Sequence, residues 1–230
     1  KELKLAAIDI GSNAARLLIT EVNINEKGTP SFNKLNLIRV PLRLGFDVFE
    51  SSEISKAKIG MVMQTMKAYK HLMNAYGVEH LKACATSAMR DAKNAADIIR
   101  KIKMETDIGI EVISGDLEAN LIYENHVAEN MDKDHSYLYI DVGGGSTELS
   151  FFSNNILTYK KSFNIGTIRL LKNMVTDKQW DDMKETLKAI TKGHKEVVAI
   201  GTGGNINKVF SMSKRKDGKP LSLELLKDYY

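Results

Sequence analysis

A single cysteine, Cys84, stands in 230 residues, which excludes an internal disulfide and any metal site built from clustered cysteines. Its apolar setting, Leu81–Ala85, marks it as a core residue. So few thiols fit a reducing compartment. Proline is nearly as scarce, at three residues, and with 43% apolar and 27% charged residues the composition excludes a disordered or low-complexity chain. No apolar run approaches the ~20 residues that a membrane helix requires. The opening Lys1-Glu2-Leu3-Lys4-Leu5 leads into a short apolar run that contains Asp9, unlike a secretory leader. A cytoplasmic protein with no membrane partner is therefore expected. A strong excess of one charge is missing too: 33 basic against 29 acidic residues give a net charge of +4. With no concentrated basic face and no zinc-finger spacing, a nucleic-acid partner is not expected. The short basic run Lys214-Arg215-Lys216 adjoins Asp217-Gly218 and reads as a solvated turn. His71, His80, His126, His135 and His194 are scattered without the spacing of metal ligands.

What is present is an alternation of strand and helix patterns over a length that suits one large domain or two small ones. Leu5–Ile10 is a short apolar strand ending in an acid, then Gly11-Ser12-Asn13, then β-prone sequence again at Arg16–Val22. A third strand is expected at Leu35–Val40. Ser52 can cap a long helix in which Ile59, Val62, Met63, Met66, Tyr69, Met73 and Tyr76 recur at three- and four-residue intervals until Gly77 stops it. A strand at Leu81–Ala85, a helix from Lys93 to Met104, a strand at Ile110–Ile113 and a helix from Gly115 to Glu129 follow.

The polar stretch Asn130-Met131-Asp132-Lys133-Asp134-His135 is the natural boundary, because the opening pattern restarts beyond it. Tyr137–Asp141 and then Gly143-Gly144-Gly145-Ser146-Thr147 echo Leu5–Asp9 and Gly11-Ser12-Asn13. A hairpin of Glu148–Phe152 and Ile156–Lys161 turns at Asn154-Asn155, residues that tolerate positive φ. Helices near Ile165–Asn173 and Asp177–Thr191 precede a strand at Glu196–Ile200, which opens into Gly201-Thr202-Gly203-Gly204 and another helix. Two similar halves, residues 1–132 and 133–230, facing each other are the simplest architecture.

A carboxylate at a strand end followed by a glycine turn suits phosphate and magnesium: backbone N–H groups face anionic oxygens while the acid holds the cation or its waters. The pattern occurs twice, at Asp9 and Asp141. Gly201–Gly204 adds a third turn at a strand-to-helix junction, and together they point to a phosphate cleft between the halves. Neither the P-loop spacing nor the dinucleotide-binding glycine spacing is met.

On these residues the sequence resembles the Ppx/GppA phosphatases, exopolyphosphatases and guanosine pentaphosphate phosphohydrolases of the actin/Hsp70/sugar-kinase superfamily. The matching segments are Ala7–Asn13 with Arg16-Leu17, Ala85–Asn94, Ile113–Ala119, Asp141–Glu148 and Gly201–Gly204, in the family's order. The resemblance implies an α/β fold of two similar actin-like (ribonuclease H-like) domains flanking a phosphate-binding cleft. It implies Glu118 and Glu148 as catalytic carboxylates, with Glu118 orienting or deprotonating water. Asp9, Asp141 and Glu148 would hold Mg²⁺. Phosphate or substrate would meet Gly11, Ser12, Asn13, Arg16, Thr86, Ser87, Arg90, Gly143, Gly144, Gly145, Ser146, Gly201, Thr202, Gly203 and Gly204.

The chain departs from the family pattern at Ala14, Leu117 and Asn120, where Ser, an acid and Arg are common. Family members also continue beyond the last glycine motif, so the second half is expected to be incomplete at its C-terminal end. The implied function is release of orthophosphate from inorganic polyphosphate or guanosine pentaphosphate, with a homodimer as an option. The alternative is a non-catalytic or weakened member that binds polyphosphate or an alarmone. A sugar-kinase-like phosphotransferase shares the Asp–Gly turns but finds no sugar-site pattern here.

Overall fold

The computed structural model describes residues 2–126, 131, 132 and 134–230. Two sheets organise the chain. The first is built from β1 (Glu2–Ile10), β2 (Ala15–Ile24), β3 (Pro30–Val40), β4 (His80–Ala85) and β5 (Glu111–Val112), in the order β3-β2-β1-β4-β5. The second contains β6 (Ser136–Val142), β7 (Thr147–Ser153), β8 (Ile156–Phe163) and β9 (Val197–Thr202), in the order β8-β7-β6-β9. Each sheet has an antiparallel meander followed by a parallel strand beside its first strand: β4 beside β1, and β9 beside β6.

Period-two alternation sets the first core. Ala6, Ile8 and Ile10 of β1 and Ala15, Leu17 and Ile19 of β2 are buried on one face, which sends Asp9 and Arg16 to the other. Helices α2 (Lys56–Tyr76) and α4 (Ala95–Thr106) supply Val62, Met66, Tyr69, Ile98 and Ile102 to this core. The Tyr69 hydroxyl donates to the Ala15 carbonyl (3.1 Å), tying α2 to the start of β2. The second core is smaller and centres on Leu149, Phe163, Ile165 and Met183, the last from α7 (Asp177–Thr191). At the expected hairpin turn Asn154 and Asn155 do take positive φ, 51° and 61°.

Several local expectations are corrected. Ser55, not Ser52, caps α2, its side chain accepting from the Lys58 N–H; Ser52 instead closes α1 (Leu44–Ser51) in a left-handed conformation. A short helix α3 (Ser87–Asp91) precedes α4, and α9 (Leu223–Tyr229), capped by Ser222, closes the chain. The helix near Ile165 contracts to α6 (Thr167–Leu171). Cys84 is half-buried rather than a core residue, because it is paired with Asp9 on the face opposite the core. Helix α5 (Gly115–His126) lies on β7 and β8 of the second sheet. Its expected extension to Glu129 falls outside the described residues, as do Asn130 and Lys133 of the polar boundary stretch.

The halves meet at their turns. The Ser12 and Ser87 hydroxyls are 2.6 Å apart, and the triple-glycine turn presses onto them. A Cβ on Gly144 would lie 3.0 Å from Ser12 Cβ; one on Gly145 would lie 2.3 Å from Ser87 Oγ and 2.5 Å from Phe49. Only glycine permits that approach. Ile168 of α6 joins the first half's core. Beside it the buried Arg169 donates from Nε to the Gly145 carbonyl (2.6 Å) and from Nη2 to Asp91, with its guanidinium 4.1 Å from the Phe49 ring centre.

Arg169 thus binds the second half's glycine turn to two helices of the first. Arg169→Ala leaves the Gly145 carbonyl and Asp91 without their donor, a loss of about 1.5–3 kcal/mol for hydrogen bonds involving charge. The midpoint of thermal unfolding is expected to fall by roughly 3–12 °C, with Arg169→Lys between the two. A melting curve unchanged by Arg169→Ala would show that the halves are held together elsewhere.

Candidate active site

The two Asp–turn motifs fold into matching hairpins. Asp9 on β1 is paired with Arg16 on β2, and the intervening turn closes with the Gly11 N–H on the Ala14 carbonyl (2.9 Å). Asp141 on β6 is paired with Glu148 on β7, and that turn closes with the Gly143 N–H on the Ser146 carbonyl (2.9 Å). Position for position, Arg16 in one half corresponds to Glu148 in the other. The third glycine turn follows β9, where Gly203 adopts φ 99° and caps α8 (Gly204–Met212).

These turns floor one cavity of about 420 Å³ between the halves. Of the expected site residues, Asp9, Gly11, Ser12, Asn13, Arg16, Thr86, Ser87, Glu118, Asp141, Gly143, Gly144, Ser146, Gly203 and Gly204 line it. Gly145, Gly201, Thr202, Arg90 and Glu148 are not part of this lining. Gly145 packs on Ser87 and Phe49, and Gly201 on Ile206. Thr202 is held at the end of β9 beside Asp141. The lining also includes Ala14, Val142, Thr167, Asn205 and Arg39, which the sequence reading missed. Arg39 reaches it through a bulge: counting from the β2–β3 turn would put Ile38 opposite Arg16, and the register shift between Ile19 and Thr20 brings Arg39 there instead.

Arg90 is engaged by protein. Its Nη1 donates to the Ile113 carbonyl (2.7 Å) and lies 3.4 Å from Glu118 Oε2, so it steadies the Glu118 carboxylate at the start of α5. Glu148 is almost wholly buried, at 3% exposure, and accepts from the Ser162 hydroxyl at 2.7 Å.

Burial, and then the charge of neighbouring acids, raise Glu118, Glu148 and Asp9. Glu118 is pushed up to about 8, first by burial and then by the Glu148 charge, with Arg90 pulling the other way. Glu148 is raised by burial, against the hydrogen bonds from Ser162 and Ser146, and Asp141 adds to the rise. Asp9 lines the open cavity, yet the surrounding protein raises it; Arg16 opposes the shift and Asp141 reinforces it.

A divalent cation would relieve this repulsion. Among the described residues no three His, Cys, Asp or Glu side chains gather closely enough to cage a metal. Asp9 and Asp141, both facing the cavity, instead fit the magnesium pattern of one or two carboxylates completed by phosphate oxygens and water.

The raised Glu118 has a consequence for stability. Below about pH 4.5 the group is protonated in both the folded and unfolded chain. As pH rises towards about 8 the unfolded chain releases the proton while the folded chain keeps it, so stability is lost across that window and stays lost above it. Glu118→Gln removes this cost. With a chelator present, the variant should match the parent in thermal midpoint near about pH 4 and exceed it by ~2 °C or more near about pH 9. Equal midpoints at both pH values would mean that Glu118 titrates normally.

Known proteins share this fold. The profile of the Ppx/GppA phosphatase family matches residues 23–214. A bifunctional 3-dehydroquinate synthase/phosphatase of Fusobacterium nucleatum is 30% identical over 92% of this chain and 34% of its own length. Exopolyphosphatase 1 of Mycobacterium tuberculosis is 26% identical over 76% of this chain and 50% of its own. The chain thus spans a third to a half of these relatives. Among solved structures, the Ppx/GppA family member of Aquifex aeolicus superposes with a TM-score of 0.75 at 25% identity, covering 100% of this chain and 78% of that one. An exopolyphosphatase from Cytophaga hutchinsonii gives 0.76 at 26% identity, covering 96% and 73%. With the two-sheet α/β architecture of those structures, and with the family's profile covering most of its length, the chain belongs to the Ppx/GppA phosphatase family.

Proposed function

We propose that the protein is a phosphohydrolase that removes terminal phosphate, as orthophosphate, from inorganic polyphosphate or from guanosine pentaphosphate. The observation that carries this reading is Glu118: an acid pushed up to about 8, facing a cavity floored by two Asp–glycine turns. Family membership and the exopolyphosphatase relative support the polyphosphate side of it.

Hydrolysis of a phosphoanhydride places water in line with the bond to be broken; the protein contributes position and charge. In its ionised form Glu118 takes the proton of the attacking water as the new P–O bond forms, and the leaving phosphate departs with the bridging oxygen. A base whose pKa lies near the working pH is the efficient choice. Arg90 fixes its orientation from one side. Glu148, held by Ser162, acts by keeping negative charge against Glu118 and so sustaining its basicity. The Ser12–Asn13 and Gly143–Ser146 turns and Arg16 receive phosphate oxygens. Asp9 and Asp141 would hold Mg²⁺, which when bound neutralises charge on the phosphoryl group; Glu148, expected as a third ligand, is outside the cavity lining. Among the described residues no helix is long and apolar enough to cross a membrane.

Phosphate release from long-chain polyphosphate and from guanosine pentaphosphate, measured side by side with magnesium, tests the reading. Glu118→Gln and Glu148→Gln should each fold and lose about 10²–10⁴-fold in turnover. Parental rates in both variants would refute the carboxylate assignment. If the parent releases no orthophosphate from either substrate, it is a binding module instead.

A further inference from the structure

The matching hairpins allow the two sheets to be compared row by row. In the second sheet, β8, β7, β6 and β9 carry Ser162, Glu148, Asp141 and Thr202 side by side. In the first, the equivalent row on β3, β2, β1 and β4 is Arg39, Arg16, Asp9 and Cys84. Each row sets a like-charge pair directly opposed, Asp141 with Glu148 in the second and Arg16 with Arg39 in the first, an arrangement that destabilises a strand pair. The neighbour beyond the pair differs: Ser162 donates to Glu148, and Asp9 faces Arg16, but Arg39, on the last strand of its row, has no such neighbour. Both arginines are exposed, both line the cavity, and among the described residues neither guanidinium has an ion pair or side-chain hydrogen bond. Asp9 answers part of the Arg16 charge; among the described residues nothing answers Arg39, and an anion in the cavity would.

The row also has a direction. Strands lie about 4.8 Å apart, which puts Arg39 roughly 10 Å from Asp9 at the backbone, with Arg16 between them. A ligand that engages both ends of the row is extended and carries charge along its length.

We propose that Arg39, together with Arg16, forms a guanidinium subsite for the phosphates that follow the terminal one, making the cleft selective for linear polyphosphate over single phosphate groups. The subsite rests on the cleft being a phosphohydrolase site, and it assigns to Arg39 the task of binding the part of the substrate that is retained after cleavage. Planar guanidinium forks match phosphate oxygens two at a time.

The test is binding of tripolyphosphate and, by competition against it, of orthophosphate, to the parent, Arg39→Ala and Arg39→Lys, with melting curves to confirm folding. Arg39→Ala relieves a like-charge pair, so it should melt no lower than the parent. It should weaken tripolyphosphate by at least about tenfold, the loss of a hydrogen bond to a charged group, while orthophosphate changes far less; Arg39→Lys should recover part of the loss. In turnover the defect should fall on KM for polyphosphate far more than on kcat. Parental tripolyphosphate affinity in Arg39→Ala would overturn the subsite and leave the phosphohydrolase reading standing. Equal weakening of both ligands would overturn it too, by placing Arg39 on the terminal phosphate. A parent that binds neither ligand would refute both the subsite and the function on which it rests.

Discussion

Carboxylates withdrawn from water between two facing sheets, and set against one another there, are the constraint on which the site depends. Burial is the largest cause of the raised Asp9, Glu118 and Glu148, and the charges of Asp9, Asp141 and Glu148 each add to the rise of at least one neighbouring acid. Such a cluster opposes folding, so the closure that produces it must be held by other contacts. Those contacts are unusually dense: a triple-glycine turn lying against Ser12, Ser87 and Phe49, and the Arg169 guanidinium that spans the junction. A cation or proton entering the cleft would relieve part of that cost.

The same local fold serves opposite chemistry in the two halves. A strand ending in Asp, a turn closed by a glycine N–H, and a returning strand are built twice with the same hydrogen bond. The residue opposite the Asp is Arg16 in one copy and Glu148 in the other. The strand beside Asp9 therefore carries a cation, and the strand beside Asp141 an acid. Helix α5, packed on β7 and β8, carries Glu118 towards that acid, while Arg90, from the first half, reaches across to steady it. Separating positioning from activation in this way suits phosphoryl transfer, in which the protein acts chiefly by geometry and charge.

Much of this was legible in the sequence. Strand–Asp–turn–strand was readable twice because period-two apolar alternation and glycine turns are local signals, and most of the expected site residues do line the cavity. What escaped depends on tertiary context. Helix α1 was hidden because neither of its ends carries a capping side chain, with both Arg43 and Ser52 left-handed. Ser52 and Ser55 are both plausible caps by composition, and only the geometry chooses Ser55. Arg90 is expected as a phosphate ligand, and its Nη1 is held by the Ile113 carbonyl and Glu118, 23 and 28 residues further along, contacts that local sequence does not reveal. Arg39 could have been found only by carrying strand register across a hairpin that contains a bulge. Glu148 was identified by its motif, but its place outside the lining depends on α5 and β8 closing over it.

The most direct test of this electrostatic account is a titration of the Glu118 carboxyl by carbon-detected NMR in the metal-free protein, repeated in Glu148→Gln. The account predicts a midpoint near about 8 in the parent and a clearly lower one once the Glu148 charge is removed. A parental midpoint near the ordinary 4.5, unmoved by the substitution, would contradict it.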